Sequence, residues 1–137
     1  HRYLLFNKDA PVNKAVSANP AFVTLPEKDV TYPFGLKGVP LTDKNIKYWM
    51  GKNMAVVLGE DDLGPRTKPL RNGLMAREQG PHCLARGKLL YKTTKEKAEE
   101  LGFDFNWELI TVPGVGHDNY NLAPFASIYL FEDEEVQ

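Results

Sequence analysis

Asn53-Met54-Ala55-Val56-Val57-Leu58 runs straight into Gly59-Glu60-Asp61-Asp62. From Met54 onward the run is apolar without a break and rich in branched side chains. A strand with one face in water alternates apolar and polar residues. A run that does not alternate, and that stops at a glycine turn, indicates a strand buried on both faces, as in a parallel sheet covered by helices. A second stretch has the same form. Trp107 to Val112 is a short apolar strand that enters Pro113-Gly114-Val115-Gly116-His117-Asp118, a turn of two glycines and a proline that delivers one histidine. Both strands therefore end in glycine turns carrying ionisable residues.

Between them the spacing predicts the longest helix of the chain, from Cys83 to Leu101. Leu84, Tyr91, Ala98 and Leu101 fall near one face, the lysines and glutamates fill the solvated remainder, and Gly102 is the stop. Asp118 to Phe131 reads as a final helix with Leu122, Phe125, Ala126 and Tyr129 on one stripe. Asp118 is placed to cap it.

Upstream of residue 53, Thr42 is a good N-cap for a helix that stops at Gly51, with Leu41 and Ile46 at hydrophobic-staple spacing. Residues 26–40 hold three prolines, two glycines, Tyr32 and Phe34, which predicts a long irregular excursion held by packing. Residues 15–18 read as a short buried strand ended by Asn19-Pro20, and 21–25 as its possible continuation. Residues 1–8 read as the end of a buried helix, with a stop over Asn7 to Pro11. Residues 63–81 read as a loop with one helical turn near Leu70 to Glu78. The tail 132–137 is acidic and expected to fray. Strand and helix thus alternate, which indicates an α/β sheet with right-handed crossovers.

The length, 137 residues, suits one domain. With 17 basic and 18 acidic residues the net charge is -1, so the basic excess of a nucleic-acid binder is missing. No apolar run has the length of a membrane span. The single cysteine, Cys83, cannot form an internal disulfide. Beside His82 it suggests a Cys/His pair, but adjacent side chains rarely aim at each other, and a small buried thiol is the simpler role. His1, His82, His117 and Cys83 show no metal-ligand spacing. No metal site and no cofactor is expected.

In a parallel sheet the two turns share one edge, so an acid from one and His117 from the other can meet. Such a pair suits an acid that fixes the tautomer of an imidazole, which then acts as general base for a nucleophile. Here the residues reach a family. Gly59-Glu60-Asp61-Asp62 resembles the acid turn of the α/β-hydrolase superfamily, in which the acid commonly stands three residues after the glycine. That puts Asp62 first, with Asp61 and Glu60 behind it. Val115-Gly116-His117-Asp118 resembles the superfamily's histidine loop, and acid before histidine is its order. More narrowly, Asn106-Trp107 through Asp118, with Gln79-Gly80-Pro81 and Leu84-Ala85-Arg86-Gly87, is similar to bacterial hydrolases related to polyhydroxyalkanoate depolymerases and esterases.

The resemblance implies the C-terminal part of an α/β-hydrolase sheet, mostly parallel strands flanked by helices, in a single partial domain over 1–137. It implies a catalytic triad in which His117 and Asp62 serve a serine. The departure is the nucleophile. The family's serine stands in Gly-x-Ser-x-Gly, and this chain has only Ser17 and Ser127, without those glycines. The elbow is expected upstream of residue 1, in agreement with an opening, His1-Arg2-Tyr3-Leu4-Leu5-Phe6, that looks cut into a helix. The expectation is thus part of a serine hydrolase acting on a small-molecule ester, inactive alone and completed by the N-terminal half in cis or in trans. A homo-oligomer remains open. An upstream Asp or Cys nucleophile would change the reaction to dehalogenation or lactone opening. The alternative is a non-catalytic α/β binding or interaction module. Arg66, Tyr32, Phe34 and Trp49 are candidates for a substrate pocket or for plain packing.

Overall fold

The computed structural model describes residues 1–64 and 73–132. Its elements are α1 (Arg2–Phe6), β1 (Lys14–Ala18), α2 (Asp43–Gly51), β2 (Asn53–Gly59), α3 (Leu74–Glu78), α4 (Cys83–Leu101), β3 (Trp107–Val112) and α5 (Asn119–Phe131). The three strands form one parallel sheet in the order β1-β2-β3. Val57 of β2 sits opposite Ala18 on one side and Ile110 on the other.

The unbroken apolar run of β2 follows from its central place. Side chains alternate between faces along a strand, and here both faces are covered. Met54, Val56 and Leu58 join Leu5, Trp49, Met50, Leu90, Ala98 and Trp107 in one core. Ala55 and Val57 join Val112 and Leu122 in a second core, under α5. Met54 through Gly59 are all buried. The outer strands are less covered, and their burial is mixed.

The helix ends follow the local chemistry. The Asn45 side chain accepts from the Thr42 N–H and hydroxyl, which fixes the start of α2. Gly102 closes α4 in the left-handed conformation, φ 70°. The Asp118 carboxylate accepts from the N–H groups of Tyr120 and Asn121 and so caps α5. Within α4, Leu84 and Ala98 are buried as expected, but Leu101 is exposed. Arg86, Gly87, Leu90 and Thr94 complete the buried face. A Cβ on Gly87 would stand 2.3 Å from Leu58 Cδ2, so the glycine sets how closely α4 lies on β2.

One expectation changes and two are narrowed. Residues 21–25 do not continue β1. Asn19, at φ 40°, turns the chain out of the sheet. The backbone N–H and carbonyl of Val23 are then bonded by the Gln79 side chain instead of a neighbouring strand. Of the two roles open to Trp49, it takes packing: it is fully buried, and its ring meets Trp107 edge-on at 4.9 Å. The helical turn expected near Leu70 to Glu78 is α3, with 70–72 outside the described residues. Arg66 and residues 133–137 also lie outside them.

The excursion over 26–40 is packed as its aromatics suggested. Leu36 is buried, Phe34 lies against Phe22 at 5.3 Å between ring centroids, and Tyr32 lies against Phe6 at 5.6 Å. Among the described residues no helix is long and apolar enough to cross a membrane.

Candidate active site

The C-terminal ends of β1, β2 and β3 lie along one edge of the sheet, and the loops that leave them are laced together. Glu60 N–H donates to the Val112 carbonyl and Asp61 N–H to the Val115 carbonyl, both at 2.9 Å, so the acid turn is bonded directly to the histidine loop. Asn19, at the end of β1, spans both. Its Oδ1 accepts from Gly59 N–H at 3.0 Å, and its Nδ2 donates to the Gly116 carbonyl at 3.2 Å. The left-handed turn that puts Asn19 there is one asparagine tolerates better than most residues. Gly59 is needed for the same closeness: a Cβ on it would come within 2.3 Å of the Val115 carbonyl oxygen and 2.5 Å of that of Gly116.

This frame brings His117 Nδ1 to 2.8 Å from Asp62 Oδ2. The two side chains sit in different surroundings. That of Asp62 is 1% exposed and that of His117 is 39% exposed. A buried carboxylate accepts, so Nδ1 carries the proton and donates. The Nε2 lone pair is then left as a proton acceptor. No described residue hydrogen-bonds Nε2. Glu60 and Asp61 are both exposed and point to no such partnership. An acid held dry against one ring nitrogen, with the other side of the ring reachable, is what general-base work requires.

The start of α4 closes the site from beneath. Leu84 N–H donates to the Asp62 carbonyl at 3.3 Å. His82 is not part of the site: its Nδ1 accepts from Ala85 N–H and caps the helix. Cys83 is buried, as a structural thiol should be, but it is also a neighbour of the pair. Its Sγ, a carboxylate oxygen of Asp62 and a ring nitrogen of His117 all lie within 4.8 Å of one another. The separation of these residues along the chain conceals this cluster.

The Gln79 to Gly87 stretch supports the site from behind. Arg86 is fully buried, and its guanidinium donates to the carbonyls of Gly80 and Ala21 at 2.9 and 2.6 Å. With Gln79 on Val23, it holds the segment after β1 against the start of α4. The two serines are elsewhere. Ser17 is inside β1 opposite Val56, and Ser127 is on α5. A cleft of about 600 Å³ lined by Lys44, Lys47, Tyr48 and Lys52 opens near the start of β2, at the other end of the strands.

No protein-family model matches this chain, and no curated protein matches it. Solved structures do, among them these two. The first is poly(aspartic acid) hydrolase-1 from Sphingomonas sp. KT-1, with a TM-score of 0.90 and 31% identity over 96% of this chain and 50% of that one. The second is LpqC, a poly(3-hydroxybutyrate) depolymerase from Bordetella parapertussis, with a TM-score of 0.85 and 29% identity over 96% and 47%. The chain spans about half the length of these relatives. Its three parallel strands and flanking helices match the C-terminal part of an α/β-hydrolase fold.

Proposed function

We propose that this chain is part of a serine hydrolase that cleaves carboxylic esters, with His117 as general base and then acid, Asp62 as its orienting acid, and a serine nucleophile supplied from upstream of residue 1. The observation that carries the reading is the 2.8 Å contact between a buried carboxylate and an exposed imidazole at the ends of adjacent strands. The two solved relatives, named as hydrolases of polymers built on carboxylic acid derivatives, support the class of reaction.

Nε2 takes the serine proton as Oγ attacks the ester carbonyl. The imidazolium that forms is stabilised by Asp62 through Nδ1–H. It then returns its proton to the leaving alcohol, and an acyl-serine remains. A water, deprotonated by the same Nε2, releases the acid and regenerates the hydroxyl.

One observation favours the second reading, a non-catalytic binding module: neither serine of this chain is a partner of His117. Against it, a scaffold has no use for a buried acid poised on an exposed imidazole. Labelling of the full-length protein by a serine-directed fluorophosphonate separates the two. The expected result is one labelled serine, with His117→Ala slowing labelling by roughly 10³-fold or more. Wild-type protein without a labelled serine, or full labelling in His117→Ala, overturns the reading.

A further inference from the structure

The neighbourhood of Cys83 is not used by the hydrolytic scheme. Its burial keeps it from reaching a substrate as a nucleophile. Three chemically different ligand atoms nevertheless converge there, from the turn after β2, the start of α4 and the loop after β3. From the clustering of Asp62, Cys83 and His117 within 4.8 Å we infer that this site binds a zinc-class divalent cation, which switches the imidazole off.

Sulfur, nitrogen and carboxylate oxygen are the donors zinc takes, and three protein ligands leave a fourth position for water. A tetrahedral ion with bonds of about 2.0–2.3 Å needs donor atoms about 3.3–3.7 Å apart. The existing triangle meets this by small movements. Edges as long as the 4.8 Å limit contract by about 1 Å, and the 2.8 Å Asp62–His117 edge opens by about 0.5 Å. Cys83 opens a helix of 19 residues, whose positive end favours the thiolate. Thiolate and carboxylate together neutralise a divalent ion, so the buried cluster carries no net charge. The thiol proton leaves to solvent on binding. Entry is from the His117 side, the exposed member of the three.

The effect on the proposed reaction follows from the ring. A neutral imidazole has one nitrogen lone pair, and the metal takes it. Coordination at Nε2 occupies the base itself. Coordination at Nδ1 puts the proton on Nε2. Either way no acceptor remains for the serine proton. The inhibitory half of the inference rests on the hydrolase reading, whereas the metal site does not.

The test uses cobalt as a spectroscopic probe of the full-length protein. Wild type is expected to bind one Co²⁺ with a thiolate-to-cobalt charge-transfer band that Zn²⁺ abolishes. Cys83→Ala and Cys83→Ser should lack the band. In turnover, Zn²⁺ should inhibit the wild type reversibly, and chelator should restore it. Cys83→Ala should need at least about 10-fold more Zn²⁺, the scale lost when even outer partners of a metal ligand are removed. No band in wild type, or a band that survives in both variants, overturns the site. Full turnover with cobalt or zinc bound overturns the switch. A cysteine-dependent band without serine labelling upholds the metal site and sinks the hydrolase reading. Labelling without a band does the reverse.

Discussion

At the scale of the residue, the work that the proposed reaction gives Asp62 is to choose a tautomer. Its carboxylate can only accept, so Nδ1 must hold the proton and Nε2 must be free to take one. Asp62→Asn keeps the shape but removes that compulsion. The amide can donate to Nδ1, and the proton then moves to Nε2, where it blocks the base. Turnover of an ester by the full-length protein should fall by on the order of 10³–10⁴-fold. Thermal stability should fall by only about 1 kcal/mol, since a hydrogen bond is kept. If the variant keeps its rate within a few-fold, Asp62 is not the orienting acid. That an acid of the turn after β2 could meet His117 was legible in the sequence, because a strand buried on both faces points that turn at the site edge. The preference for Asp62 over Asp61 and Glu60 came from its place three residues after Gly59, as in the family the turn resembles, and Asp62 is the acid that meets the ring. The neighbourhood of Cys83 was not legible. It depends on how close α4 comes to β2, and that is set by Gly87 against Leu58, a tertiary contact without a local signature.

At the scale of the element, the site is a matter of how close two turns can lie. Gly59 faces the backbone carbonyls of Val115 and Gly116 with no room for a methyl group. Gly59→Ala must push the histidine loop away, because backbone, unlike a flexible side chain, has no rotamer to yield. The expected cost is about 1–3 kcal/mol in thermal or denaturant unfolding. A displacement near 1 Å at His117 should lower kcat/KM by on the order of 10²-fold. A variant with the stability loss but the wild-type rate would show that the spacing of the turns does not set the geometry of the pair. The elements themselves were largely readable. The bounds of α4 and β3 follow from a helix stop at Gly102 and an apolar strand that ends in a glycine turn. The segment 21–25 was misread for a physical reason. Its apolar, β-prone residues are buried as in a strand, yet the Gln79 side chain satisfies Val23's backbone, and no strand pattern announces that. Asn19 likewise looked like punctuation after β1, and its side chain proves to tie the two turns together.

At the scale of the whole molecule, the chain has more apolar surface than its two cores can use. Helix α5 is apolar nearly all round, yet Leu122 is its one fully buried side chain, and Tyr120, Phe125, Ile128 and Phe131 face outward. Tyr3 and Phe6 of α1 do the same. Among the described residues β1 and β3 each pair only with β2, so each has an outer edge with backbone groups available for another strand. Solved relatives about twice as long share this half of their fold with the chain, and covering such surface is what further chain does in an α/β sheet. With a net charge of -1 there is little electrostatic repulsion to keep copies apart. Residues 1–137 produced alone should therefore associate with one another and bind a hydrophobic dye, since unpaired edges and apolar patches are the surfaces that aggregate. Sedimentation velocity over a range of concentrations reads the association directly, and dye fluorescence reads the patches. The full-length protein should bind markedly less dye per chain. A concentration-independent monomer without dye binding would mean that α1, α5 and the strand edges are stable in water as they stand, and that this half of the fold needs no cover.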